Sequence, residues 1–308
     1  MSALDIDFSV LDDPNFKEDS VREEILCPAL HYIGYRPDRE PKIVRSKVLA
    51  HPYVMLGSSS RKISIIPDYI LYNNGKPRIV IDAKAPGEDI FKGDNVFQAY
   101  SYAIHPEVRT MAYGLCNGRH LNLFHLSSTD PVRSYKLDTM TDLDWEDMRQ
   151  VMSEREIQRI ESFDMLLDFG VCFTMLGFPA DTPQMFFNLP VGMIGKISDE
   201  LYALNIKGDF MHDRVVLLTA DVGAGHMRQL MEEMPDECRK ACLDGISTQP
   251  FSADISRFGY CATFCGKLSS TIEKSFATGE QFRPIIVEKV FTAQQGDAPE
   301  PATHVGPA

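Results

Sequence analysis

The chain has 308 residues, 44% of them hydrophobic and 24% charged, with 31 basic and 44 acidic side chains giving a formal charge of −13. That is a globular composition, long enough for one large core or two modest ones, and too acidic to coat nucleic acid without a local basic patch. No apolar run approaches the roughly 20 residues of a membrane helix, and seven scattered cysteines point to a reducing cytoplasm rather than a disulfide framework.

The N-terminus, Met1-Ser2-Ala3-Leu4-Asp5, lacks the basic and apolar regions of a secretory signal. Residues 17–33 place Val21, Ile25, Leu26, Ala29, Leu30 and Ile33 at helical spacing, with Gly34 as the stop and Pro28 as an interior irregularity. Charge then changes sign. Residues 1–35 carry two basic and eight acidic groups, whereas 36–92 carry eleven basic and six acidic. Within this basic window Lys42 to Leu49 reads as a strand. Ile63 to Tyr72, the turn Asn73-Asn74-Gly75 and Arg78 to Ala83 read as a hairpin. Residues 89–104 are expected to be helical, and Met111–Cys116 and His120–His125 to be strands joined at Asn117-Gly118. A helix-rich stretch over roughly 140–168 leads into the second half. There Leu189–Ile206, His226–Cys242 and Tyr260–Phe276 have helical character, and Arg214–Thr219 and Pro284–Val290 are strand candidates. The expected class is α/β. A mixed sheet flanked by helices fills residues 1–140, an α/β or α+β accessory region fills 141–293, and a disordered tail covers 294–308.

The hairpin carries the chemistry. Asp68 follows Pro67 in its first strand and Asp82-Ala83-Lys84 ends its second, so Asp82 and Lys84, two apart, share a sheet face. Pairing across residues 73–76 brings Asp68 beside Asp82. Two carboxylates with a backbone carbonyl suit Mg²⁺, with Mn²⁺ as a substitute. A lysine beside them is expected to orient or help deprotonate an attacking water and to stabilise developing phosphate charge.

Pro67-Asp68 followed after thirteen residues by Asp82-Ala83-Lys84 resembles the PD-(D/E)xK nuclease signature. More narrowly, about Glu18 to His125 resembles the N-terminal nuclease domain of type I restriction enzyme R subunits. The matching elements are Glu18-Asp19-Ser20-Val21-Arg22, Ile66-Pro67-Asp68-Tyr69, Ile81-Asp82-Ala83-Lys84-Ala85-Pro86, Gln98-Ala99-Tyr100-Ser101-Tyr102-Ala103 and Cys116-Asn117-Gly118, in that order. The resemblance implies a restriction-endonuclease-like fold. Asp68, Asp82 and Glu18 would then be metal ligands, with Glu23 and Glu24 as competitors for the helix acid, and Lys84 the catalytic lysine. Gln98 and Tyr102, at i and i+4, would position DNA. Asp82 departs from the family's usual glutamate at that position.

Arg36, Arg39, Lys42, Arg45, Lys47, Arg61 and Lys62 are candidate phosphate contacts, and Arg61 and Lys62 stand closest in sequence to the Asp68 strand. Four cysteines, Cys238, Cys242, Cys261 and Cys265, have helical i, i+4 spacing that could assemble a zinc site, although buried cysteines are common in cores. Asp221-Val222-Gly223-Ala224-Gly225-His226 reads as a strand-to-helix turn without the lysine of a P-loop. No Walker A sequence follows the nuclease-like region, so an ATP-driven motor is not expected. The leading reading is a Mg²⁺-dependent DNA endonuclease in a restriction or anti-phage role. Its C-terminal half would form a homo-oligomer or bind a protein or small-ligand regulator. The sequence does not distinguish DNA from RNA. Rival readings are a catalytically silent DNA-binding or regulatory module and a ligand sensor.

Overall fold

A computed structural model describes residues 7–50, 54–56, 59–61, 64–153, 167–210, 214–275 and 280–291. The chain is mixed α/β and divides into two compact units. One is Met1–Met165 with Met175–Gly177, and the other is Leu166–Thr174 with Phe178–Ala308. The packing carries the first unit past residue 140, because Trp145, Met148 and Met152 lie in its core. The Gln294–Ala308 tail lies outside the described residues.

The first helix, α1, runs continuously through Glu18–Ser20, Val21–Leu26 and Cys27–Tyr32. Its middle segment is a π-helix in which the Cys27 N–H donates to the Arg22 carbonyl. Widening the turn just ahead of Pro28 accommodates a residue that has no N–H and whose ring would crowd an α-helical carbonyl. Val21, Ile25, Leu26, Ala29 and Leu30 form its buried stripe.

Six strands form the main sheet: β1 (Lys42–Arg45), β2 (Tyr69–Asn73), β3 (Lys76–Ala83), β4 (Ala112–Cys116), β5 (His120–His125) and β6 (Arg133–Lys136). They lie side by side in that order. All neighbours are antiparallel except β3 and β4, which are parallel and joined through helix α2 (Asp94–Ile104). The β2–β3 hairpin turns at Asn74 and Gly75, both with positive φ, as expected from the Asn-Asn-Gly signal. Helix α3 (Asp142–Val151) follows β6.

Alternation along β2 and β3 sorts the two faces. Tyr69, Leu71, Ile79, Ile81 and Ala83 join the core formed with α1 and α3. Val80, Asp82 and Lys84 have the opposite parity, towards α2, where Tyr100 stands edge-on to Tyr113 at 5.9 Å and Tyr113 stacks on Phe124 at 5.0 Å. With both faces covered, β3 is buried almost throughout.

The second unit contains a closed five-stranded barrel. Its strands are β7 (Gln184–Lys196), β8 (Leu201–Phe210), β9 (Arg214–Gly223), β10 (Cys261–Leu268) and β11 (Ile285–Phe291). Pairing runs β7-β8-β9-β11-β10 and back to β7; only β9 and β11 are parallel. A short helix, α4 (Phe169–Met175), precedes the barrel, and α5 (Ala224–Glu233) and α6 (Asp236–Ser247) lie between β9 and β10. Met227, Leu230, Met234, Cys238, Cys242 and Ile246 of this helical pair belong to one buried cluster with Leu204, Val222 and Phe264 of the strands. Closure leaves the five strands without a bare edge.

This unit corrects part of the sequence reading. Leu189–Ile206 and Tyr260–Phe276 are expected as helices, yet they supply β7, β8 and β10. In β10 the buried positions Ala262, Phe264, Gly266 and Leu268 recur every second residue, the period of a half-buried strand. In β7 two register shifts interrupt that alternation and hide the strand. The expected helix over His226–Cys242 is two helices, broken at Pro235.

Candidate active site

The β2–β3 register pairs Tyr69 with Ile81, which sets Asp68 opposite Asp82 where the hairpin opens. Their backbones and carboxylates tie across reciprocally. The Asp68 N–H donates to Asp82 Oδ1 at 3.2 Å, and the Ala83 N–H donates to Asp68 Oδ2 at 2.7 Å. The parallel ladder extends one residue further, with the Lys84 N–H donating to the Cys116 carbonyl at 2.8 Å. Backbone bonds thus hold all three candidate residues, and Asp68, Asp82 and Lys84 are only 8%, 4% and 6% exposed.

Lys84 Nζ donates to Asp82 Oδ2 at 2.7 Å and to Gln98 Oε1 at 2.8 Å. Gln98 reaches it from α2, one turn before Tyr102 on the same helix face. Burial opposes the charge on Lys84, but Asp82, and behind it Glu18 and Glu88, more than offset burial and raise its pKa. Asp82 is pushed up by burial and by Asp68, with Lys84 pulling the other way. The Tyr102 phenol is raised to about 12 by burial and then by Asp82, Asp68 and Glu18, which places its hydroxyl within the field of all three carboxylates.

Glu18, at the start of α1, is half-buried, and burial followed by its proximity to Asp68 and Asp82 raises its carboxyl pKa, against the pull of Lys84. Glu23 and Glu24 are exposed, and Glu23 pairs with Arg22 and Arg45. Among the three acids weighed for the helix position, Glu18 is the one whose charge reaches the hairpin carboxylates.

Arg22 enters the sequence reading only as the last residue of the Glu18–Arg22 element, without a role of its own, yet its Nη1 lies 3.2 Å from Asp68 Oδ1. Its spacing of four from Glu18 was the available signal, since i and i+4 share a helix face. The basic window is largely occupied elsewhere. Arg36 donates to the His31 and Tyr35 carbonyls, Arg45 engages Glu23 and Cys27, and Lys47 lies 3.6 Å from Glu107. Arg39 and Lys42 are exposed. The Arg61 side chain and Lys62 lie outside the described residues.

Asp68 and Asp82 supply hard oxygen donors whose charges crowd each other in a buried setting, a donor chemistry that fits a divalent cation such as Mg²⁺ or Mn²⁺. Among the described residues no three His, Cys, Asp or Glu side chains converge closely enough to hold a metal. Glu18 therefore stands near the carboxylate pair without completing a three-residue ligand group. The same finding removes the four-cysteine zinc reading. Cys238 and Cys242 are buried on α6, whereas Cys261 and Cys265 alternate with the inward residues of β10 and so face away from the barrel core. The Asp221–His226 segment is the turn from β9 into α5. No helix among the described residues is long and apolar enough to cross a membrane. No family model, curated protein or solved structure matches the chain.

Proposed function

We propose that this chain is a divalent-metal-dependent nuclease hydrolysing phosphodiester bonds in DNA, with the first unit a restriction-endonuclease-like domain. The observation that carries the reading is the buried, cross-tied Asp68–Asp82 pair with Lys84 held between Asp82 and Gln98. Asp68 and Asp82 would hold the cation, with Glu18 approaching from α1. Bound there, the cation supplies Lewis-acid activation of water and charge neutralisation at the phosphate.

The chain's own groups divide the remaining work. Lys84, kept protonated by its carboxylate neighbours, acts as a positioned cation that orients water and stabilises charge developing on phosphate oxygen. Its raised pKa argues against a role as the resting general base. Gln98 fixes the ammonium's direction from α2, and Tyr102 adds a hydroxyl that stays protonated at neutral pH. A restriction or anti-phage role follows from the family resemblance alone. The barrel unit is assigned an oligomerising or regulatory part.

Plasmid cleavage by the full chain with Mg²⁺ or Mn²⁺ tests the reading, with EDTA and Lys84→Ala controls. Nicked or linear product that needs the metal and disappears in Lys84→Ala is expected. Cleavage by that variant at the wild-type rate would assign the chemistry elsewhere.

A further inference from the structure

We infer that Arg22 grips a backbone phosphate of the nucleic acid at this site, and that Asp19 and Glu23 hold its guanidinium until the phosphate arrives. This deepens the nuclease reading and rests on it. Arg22 touches three carboxylates: Nη1 lies 3.2 Å from Asp68 Oδ1, Nη2 2.9 Å from Asp19 Oδ1, and Nε 3.1 Å from Glu23 Oε1. The partners are unequal. The Asp68 side chain is 10% exposed and its other oxygen is tied to the Ala83 N–H. The Asp19 and Glu23 side chains are 84% and 44% exposed and belong to the same helix as Arg22.

Exposed ion pairs between flexible side chains contribute little, so Asp19 and Glu23 are readily exchanged for another anion. The Asp68 contact is the one that aims the guanidinium at the carboxylate pair. Its base is fixed too. The Tyr69 hydroxyl donates to the Arg22 carbonyl at 3.2 Å, and both Tyr69 and the adjacent Val21 are fully buried.

A phosphodiester offers two non-bridging oxygens, and the planar five-donor fork of arginine matches them in the way it matches a carboxylate. An incoming phosphate can replace Asp19 and Glu23 on Nη2 and Nε while Nη1 stays on Asp68. Glu23 then keeps a second cation, Arg45, 3.4 Å from its other oxygen. The remaining cation at the site, Lys84, is already held by Asp82 and Gln98. Asp19 and Glu23 are therefore brakes on binding as well as placeholders, because both must be displaced and both repel phosphate.

The test is fluorescence anisotropy of a labelled duplex DNA oligonucleotide with the full chain in EDTA, over a series of KCl concentrations. Arg22→Gln should weaken binding about tenfold near 0.1 M salt and lower the slope of log K against log salt by about 1. The pair Asp19→Asn with Glu23→Gln should tighten binding several-fold in the wild-type background and lose most of that gain in Arg22→Gln. A thermal melt of each variant accompanies the titrations. Should Arg22→Gln not fold, Arg22→Lys takes its place in the cycle, and the gain from the exposed pair should shrink there because a point charge replaces the fork. An unchanged salt slope, or an equal gain from the pair with and without the arginine, overturns the inference. Absence of DNA binding by the wild type overturns it as well. Loss of metal-dependent plasmid cleavage from the wild type would sink the nuclease reading separately, since the binding cycle needs no metal and no turnover.

Discussion

The first unit covers an open six-stranded sheet with helices on both faces, whereas the second closes five strands on themselves and shares one buried cluster between the barrel and α5 and α6. Buried polar chemistry follows that division. Among the described residues, Asp68, Asp82, Lys84, Asn117 and Asn122 are buried in the first unit, while the second buries only Asp168 and Gln281 of this kind. An open sheet has strand ends, and at the parallel β3–β4 joint those ends leave backbone and side-chain polar groups that helices α1 and α2 can face. A closed barrel satisfies its backbone internally and fills its centre with apolar side chains, so it has no comparable place for charge.

The largest expected effect would break this comparison outright if it failed. Lys84→Ala should reduce cleavage by at least about 10²–10³-fold, the scale of removing a positioned charge-stabilising donor. Asp221→Asn on the barrel should leave cleavage near the wild-type rate. Gel assays of plasmid conversion at matched concentrations compare them, and an equal loss from both would mean the chemistry is not confined to the first unit.

Core energetics sharpen the same contrast. Phe264 is fully buried and stacks on Phe186 at 5.0 Å inside the barrel. Phe264→Ala should cost about 3–5 kcal/mol, and it should do so in the barrel alone. Two unfolding transitions are then expected by calorimetry, with the barrel's moved to lower temperature and the first unit's in place. A single transition that shifts as a whole would show that the units unfold together.

Asp168 supplies a pH signature that belongs to the second unit. Its Oδ1 accepts the Val171 and Arg283 N–H groups, each at 2.9 Å, while its Oδ2 is buried without a partner. Burial raises its pKa from 3.8 to about 6, against the lowering effect of those backbone bonds. The folded state therefore holds a proton that the unfolded chain releases between these values. Its favourable contribution is complete below about pH 4 and is lost as pH rises through 6, an effect of at most about 3 kcal/mol. Asn in its place keeps the accepting oxygen and never ionises. Urea unfolding from pH 4 to 7 should show Asp168→Asn gaining stability over the wild type as pH rises, and a constant difference would remove the assignment.

Legibility in the sequence divides along the same line. The hairpin, its turn and the meeting of Asp68 with Asp82 and Lys84 were readable because period-2 alternation and a two-residue glycine turn fix register locally. Helical spacing put Gln98 and Tyr102 on one face, and only the family resemblance gave them a role. Arg22 was not readable, because its role depends on where α1 crosses the strand ends, which is a tertiary fact. Three barrel strands, β7, β8 and β10, were read as helices for a related reason, although β9 and β11 were legible as short apolar runs. Bulges in β7 offset its alternation, and the pairing of β9 with β11 joins residues more than sixty positions apart, as Ala220 with Ile285. Closure of that kind has no local signature.

The smallest effect tests whether α3 belongs with the first unit energetically as well as by packing. Thr141 caps this helix in a reciprocal box: its hydroxyl accepts the Asp144 N–H at 3.3 Å, and Asp144 Oδ2 accepts the Thr141 N–H at 2.7 Å. These bonds satisfy two backbone groups that the helix start otherwise leaves to solvent. Thr141→Ala removes one side of the box and should cost about 1 kcal/mol. With Trp145 and Met148 of α3 in the first core, that cost should move the first unit's melting transition and leave the barrel's where it is. A shift in the barrel transition instead would reassign the helix, and with it the point where one unit ends and the other begins.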